Sequence, residues 1–89
     1  MIMKEIKVGI QTGLQSKTAA VFIQKASGFK SSIWIEKEER KANAKSLLGL
    51  LSLGIGKGSE VTIIVDGEDE QQALNELEEY LQSDGIENT

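Results

Sequence analysis

The stretch TGLQSKTAA, Thr12 to Ala20, has the form of a reactive rim. A Gly-Leu pair closes a strand-like run, and polar residues lead into an alanine-rich helix start. Strand ends and helix N-termini are places where proteins hold nucleophiles and anions. The side chain at the centre of this rim is Gln15, an amide with no nucleophilic ring nitrogen and no pKa near neutrality. The chain has no histidine and no cysteine, so neither imidazole nor thiolate is available from elsewhere. With no phosphate-binding loop and no acid pair at catalytic spacing, an autonomous enzyme is not expected.

A second position with chemistry is Ser46, just before the leucine-rich run LLGLLSL. Serine is a favoured N-cap, and its simplest role is to accept a hydrogen bond from a first-turn N–H. A phosphate on the same hydroxyl would meet free N–H groups and the positive end of the helix dipole, with Lys45 beside it. It would change surface charge without refolding. At about 100° per residue, Leu47, Leu48 and Leu51 share one sector of this helix, and Leu50 and Leu53 another. A two-turn helix lying on a sheet cannot bury both, so one sector is expected to face solvent as a contact surface. Gly49 costs the helix roughly 1 kcal/mol relative to alanine, easiest to rationalise where its backbone is closely approached.

The elements that must position these residues are legible in the pattern. Ile6, Val8 and Ile10 alternate through Lys4 to Ile10, the period of a half-buried strand, which Gly13 breaks. Gln15 or Ser16 then starts a helix with an apolar stripe of Ala19, Ala20, Ile23 and Ala26, ending at Gly28. SSIWIEKEERKANAK reads as a hairpin, with its turn in KEER and a short second strand from Arg40 to Ala44. The β-branched run Val61 to Val65 reads as a central strand. A last helix follows, capped by Asp69 with Gln72 three residues on. Ala73, Leu74, Leu77, Tyr80 and Leu81 form its apolar face, Gly85 its stop, and the final IENT a frayed end. The order β-α-β-β-α-β-α implies an α+β sheet with helices to one side, built as one domain over residues 1–89.

Composition narrows the function classes. A net charge of −4 argues against direct nucleic-acid binding, which needs a concentrated basic face. The locally basic stretches, Lys25 to Lys30 and Lys37 to Lys45, are diluted by acids or apolar residues, and most acidity lies between Asp66 and Glu87. No apolar run could span a membrane and no signal-peptide core opens the chain, so a cytoplasmic protein is expected. Lack of cysteine leaves no disulfide framework and no thiolate metal site. No cofactor or metal is expected.

Taken together, GLQSKTAAVFIQKAS, NAKSLLGLLSLGIGKGSEVTI and GEDEQQALNELEEYL resemble the HPr family, the phosphocarrier proteins of the bacterial sugar phosphotransferase system. The resemblance implies an HPr-like open-faced β-sandwich, a four-stranded antiparallel sheet with three helices on one face. In that family the loop after the first strand reads Gly-(Ile/Leu)-His-Ala-Arg-Pro-Ala, and the histidine carries the phosphoryl group. The aligned residues here are Gly13, Leu14, Gln15, Ser16, Lys17, Thr18 and Ala19. Gln15 is a degenerate phosphocarrier position, and histidine phosphotransfer is excluded on chemical grounds.

Glutamine there is characteristic of the Crh-type members, catabolite-repression regulators in which a serine aligned with Ser46 is phosphorylated by HPr kinase/phosphorylase. The phospho-form acts as corepressor of catabolite control protein A, a LacI-type repressor that itself binds the DNA. The resemblance thus implies Ser46 as phosphorylation site and a partner surface of Gln15, Lys17, Ala20, Gln24, Lys45, Leu47, Leu48 and Leu51. Lys17 and Thr18 stand where the family usually has arginine and proline, and lysine does not reproduce arginine's planar fork. Two other readings of the same residues are a module that regulates a metabolic enzyme and an HPr paralogue without a working switch.

Overall fold

The computed structural model describes residues 1–85. Seven elements follow one another: β1 (Ile2–Lys7), α1 (Ser16–Ser27), β2 (Ser32–Lys37), β3 (Arg40–Asn43), α2 (Leu47–Ser52), β4 (Glu60–Asp66) and α3 (Glu70–Gln82). The expected order is present. The strands form one sheet in the order β1-β4-β2-β3, with every neighbouring pair antiparallel. Val61 to Val65 lies in β4, between β1 and β2, as its unbroken apolar run implied.

One face of the sheet carries the core. Ile6, Ile33, Ile35, Val61, Ile63 and Val65 project onto Phe22 and Ala26 of α1, Leu50 of α2 and Leu74, Leu77 and Leu81 of α3. Burying such side chains contributes roughly 1.5–3 kcal/mol each relative to exposure, which is what holds three helices on so small a sheet.

Several details differ from the sequence reading. The first strand ends at Lys7, not Ile10, although Val8 and Ile10 are still buried. Val8 still donates to the Ser59 carbonyl at 2.8 Å, and only then does the chain leave the sheet: the Gly9 N–H donates to the Leu81 carbonyl at 2.7 Å, tying it to the end of α3. In α1 the buried stripe is Thr18, Ala19, Phe22 and Ala26, whereas Ala20 is exposed and Ile23 only half-buried. Phe22 is the largest fully buried side chain, so it sets which face turns inward. The hairpin turn falls on Glu38 and Glu39, as KEER implied, but without glycine: their φ angles are 51° and 69°. A two-residue hairpin turn requires that left-handed backbone, even though glutamate adopts it at some cost.

Asp69 occupies the N-cap position of α3 but makes no cap bond. Its carboxylate accepts from the Lys30 N–H at 2.8 Å and from the Ser31 N–H and hydroxyl, so it fastens the α1–β2 loop to the start of α3. The Ser31 hydroxyl, followed by the Lys30 N–H, holds its pKa below the usual carboxylate value. Glu70 serves the helix entry instead, accepting from the Gly67 N–H at 3.1 Å. That bond is the main reason its pKa is lowered. Helix α3 stops at Gln82, where Ser83 turns extended, rather than at Gly85. The expected frayed end, IENT, lies outside the described residues.

Candidate docking face and phosphorylation site

The rim around Gln15 is held by backbone contacts and one hydroxyl. Gly13 has φ +68°, and a Cβ there would come within 2.6 Å of Gly56 Cα and closer still to the Ile55 carbonyl. Only glycine allows this turn and this approach. The Leu14 N–H then donates to the Ile55 carbonyl at 2.9 Å. Thr18, one turn into α1 and nearly fully buried, donates its hydroxyl to the Gly13 carbonyl at 2.6 Å. The same Oγ1 accepts from the Gln15 N–H at 3.0 Å. Gln15 is thereby presented, exposed, as the N-cap residue of α1. The rim has the build of a reactive site and carries an amide.

Ser46 is the N-cap residue of α2. Its Oγ accepts from the Gly49 N–H at 3.2 Å, and its carbonyl accepts from the Leu50 N–H at 3.0 Å. The residue is half-buried. The leucine sectors separate as their angles required. Leu50 and Leu53 are 0% and 3% exposed, while Leu47, Leu48 and Leu51 are 42%, 81% and 37% exposed. Gly49 faces β3, and a Cβ on it would meet Ala42 Cβ at 3.2 Å. The close approach expected at Gly49 is therefore supplied by the protein's own hairpin.

α1 and α2 lie side by side and run in opposite senses. At one end Gln15 and Ser16 line a groove with Leu51 and Gly54. At the other, Lys45 Nζ donates to the carbonyls of Phe29 and Ser31, just beyond α1, at 3.0 and 3.1 Å. Lys17, Ala20 and Gln24 are all exposed on α1, and Lys17 lines a groove on its α3 side with Val21 and Tyr80. Of the expected set, Gln15, Lys17, Ala20, Gln24, Leu47, Leu48 and Leu51 are exposed, and Gln15 shares a groove with Leu51. Lys45 departs from that set: its ammonium holds two carbonyls of the α1–β2 loop instead of standing free beside Ser46.

Sequence reasoning missed three contributors. Lys37 Nζ donates to the Gly54 carbonyl at 2.7 Å, and an Arg40 guanidinium nitrogen to the Ser52 carbonyl at 2.8 Å. Both hairpin cations thus close the C-terminal end of α2, where unpaired carbonyls and the negative dipole end favour them. The third is Thr18. Its position three residues after the N-cap is the spacing of a capping box, and that signal was present in the sequence. The strip from Arg40 to Ser59 contains no acid, nor does Val8 to Ile35, so the α1–α2 side is apolar and basic.

A family profile described as "PTS HPr component phosphorylation site" matches residues 2–83. The chain is 46% identical over 84 residues to the HPr-like protein Crh of Bacillus subtilis (strain 168), covering 94% of this chain and 99% of that one. A crystal structure of HPr-C-His from Thermoanaerobacter tengcongensis superposes with a TM-score of 0.92 at 39% identity, covering 100% of both chains. A phosphocarrier protein HPr from Bacillus anthracis str. Ames does so with a TM-score of 0.89 at 43% identity, covering 91% of this chain and 96% of that one. Among the described residues no helix is long and apolar enough to cross a membrane. With its sheet order, its loop geometry and its sequence all in agreement, the chain belongs to the HPr family and has the HPr-like protein Crh among its relatives.

Proposed function

We propose that this protein is a non-catalytic regulator of carbon catabolite repression, switched by phosphorylation of Ser46 by HPr kinase/phosphorylase. In the phosphorylated form it acts as corepressor of catabolite control protein A. The observation that carries this reading is the juxtaposition of a half-buried, N-capping serine with an exposed leucine face and an amide at the phosphocarrier position. A phosphoryl carrier needs a nucleophile that accepts and releases phosphate, and the chain has no histidine. What remains is a surface with one hydroxyl placed to change its charge. The likeness to relatives named Crh supports the same reading.

Leu47, Leu48 and Leu51 form the apolar centre of the docking face, and Gln15, Lys17, Ala20 and Gln24 its border along α1. A phosphate on Ser46 brings about −2 charge and three acceptor oxygens to its edge, suited to a charge-assisted contact with a basic group of the repressor. The test is intact mass after incubation with HPr kinase/phosphorylase and ATP, beside a Ser46→Ala variant. One added phosphate on the wild type and none on the variant is the expected result. No phosphate, with the kinase active on an HPr, overturns the switch and leaves an unswitched paralogue or an enzyme-binding module.

A further inference from the structure

The exposed leucines of α2 end in a groove that they do not account for by themselves. Leu51, Gly54 and Gly56 line it on the α2 side, and Leu14, Gln15 and Ser16 on the side of the rim. Its volume is about 380 Å³. That is near the lower bound of the roughly 300–1,000 Å³ that small-molecule sites occupy, a size suited to one inserted side chain.

Gly56 is the residue of this groove whose type the fold does not require. Its φ is not positive, unlike the 64° of Gly54, and a Cβ built on it would meet nothing within 4 Å. Gly9 and Gly49 also lack a positive φ, but the Gln82 carbonyl oxygen and Ala42 Cβ stand 2.7 and 3.2 Å from where their Cβ atoms would lie. Alanine at 56 meets no such obstacle, and it would stabilise the chain by narrowing the unfolded ensemble. The bare position gives up that stability and keeps the groove floor clear. Glycine does so where another group is to lie directly on the backbone.

We propose, resting on the docking reading above, that Gly56 determines partner specificity: its missing side chain keeps the groove open for one flat aromatic side chain of the docked protein. The lining suits such a ring. Gly54 and Gly56 offer bare backbone to its face, Leu14 and Leu51 offer apolar contact, and Gln15 and Ser16 offer polar partners to its edge. Aromatic anchors seated in pockets carry much of the energy of protein interfaces. A bulkier residue at 56 would exclude the ring and reject the partner by repulsion. Through Leu51 the groove is continuous with the exposed leucines. It lies past the C-terminal end of α2, with the six residues of that helix, about 9 Å, between it and Ser46. A protein that sets a cation at a Ser46 phosphate and a ring at Gly56 is thereby fixed in direction along α2.

The experiment is calorimetric titration of the Ser46-phosphorylated chain with catabolite control protein A, for wild type, Leu48→Ala, Gly56→Ala and Gly56→Leu. Urea denaturation of each variant runs beside it. Gly56→Ala should weaken binding about tenfold, the scale that one methylene carries in an apolar pocket, and Gly56→Leu should weaken it further. The urea midpoint of Gly56→Ala should stay at or above that of wild type. In the wild-type complex the Gly54 and Gly56 protons should show ring-current shifts in NMR spectra of the isotope-labelled chain. Unchanged affinity in both Gly56 variants, with Leu48→Ala weakened, overturns the proposal and leaves the docking reading standing. A lowered midpoint for Gly56→Ala assigns the glycine to the fold, and weakened binding without ring-current shifts assigns the groove to an aliphatic side chain; either result overturns it. No binding by the phosphorylated wild type sinks the docking reading, and the proposal with it.

Discussion

Replacing Thr18 with valine tests whether a single hydroxyl holds the rim around Gln15. The two side chains are nearly isosteric, so packing against the core is retained while two hydrogen bonds are lost. One runs from the hydroxyl to the Gly13 carbonyl at 2.6 Å, the other from the Gln15 N–H to Oγ1 at 3.0 Å. Each has a net worth of about 1 kcal/mol, and leaving the buried carbonyl wholly unpaired would cost more. Part of this is recovered, because the Gln15 N–H also lies 3.2 Å from the Gly13 carbonyl and can serve it directly. The expected loss is therefore about 1.5 kcal/mol, or about 6–12 °C in midpoint for a domain of this size. Urea denaturation followed by far-UV circular dichroism measures it. Thr18→Ser keeps both bonds and gives up one methyl group, at most about 0.8 kcal/mol. A Thr18→Val protein within about 0.5 kcal/mol of wild type would refute the assignment, as would a serine variant no better than the valine one.

The leucine sectors predict opposite outcomes for neighbouring truncations. Leu50→Ala, at a fully buried position, should cost about 2–5 kcal/mol, whereas Leu48→Ala, at 81% exposure, should stay within about 0.5 kcal/mol of wild type in the same denaturation assay. Asp69 predicts a pH dependence. Its pKa in the folded state is lowered by the Ser31 hydroxyl and the Lys30 N–H, so the native state binds fewer protons there than the unfolded chain. Its contribution is present above the ordinary carboxylate value and is lost as pH falls through the depressed one. Stability measured from neutrality to about pH 2 should fall less steeply for Asp69→Asn than for wild type, and parallel acid limbs would contradict this.

Where burial had one possible direction, the sequence was a sufficient guide. The unbroken run of β4, the apolar face of α3 and the split between Leu50 and Leu48 all follow from side-chain period, because a small sheet offers one apolar face. Local readings failed where a residue had two possible partners. Asp69 had its own helix to cap and the loop at Ser31 to hold; it takes the loop, whose Ser31 is 1% exposed and needs an acceptor more than a solvated helix end does. The α1 stripe failed for a related reason. Alanines at 19 and 20 are too small to decide which way a helix faces, and Phe22 decided it. Thr18 was counted as a departure from a family pattern, and its capping-box spacing from Gln15 was the overlooked sign that its hydroxyl had structural work.

The placement of Lys45 changes what the proposed Ser46 switch would require of a partner. A phosphate at an N-cap is ordinarily imagined as neutralised by a neighbouring ammonium of its own chain. Here that ammonium already serves the Phe29 and Ser31 carbonyls, and the hairpin cations Lys37 and Arg40 are engaged at the far end of α2. Drawing Lys45 toward a phosphate would leave two carbonyls to find water, an exchange with little net gain. A phosphate on Ser46 would instead be the first negative charge in a strip that runs from Arg40 to Ser59 without an acid. Its oxygens would remain turned to solvent, beside Leu47 and Leu48, for a docking protein to pair. A charge that meets helix N–H groups but no cation of its own fold discriminates between phosphorylated and unphosphorylated forms better than one already neutralised. The bond made by Lys45, away from Ser46, thus serves the recognition that the docking reading demands.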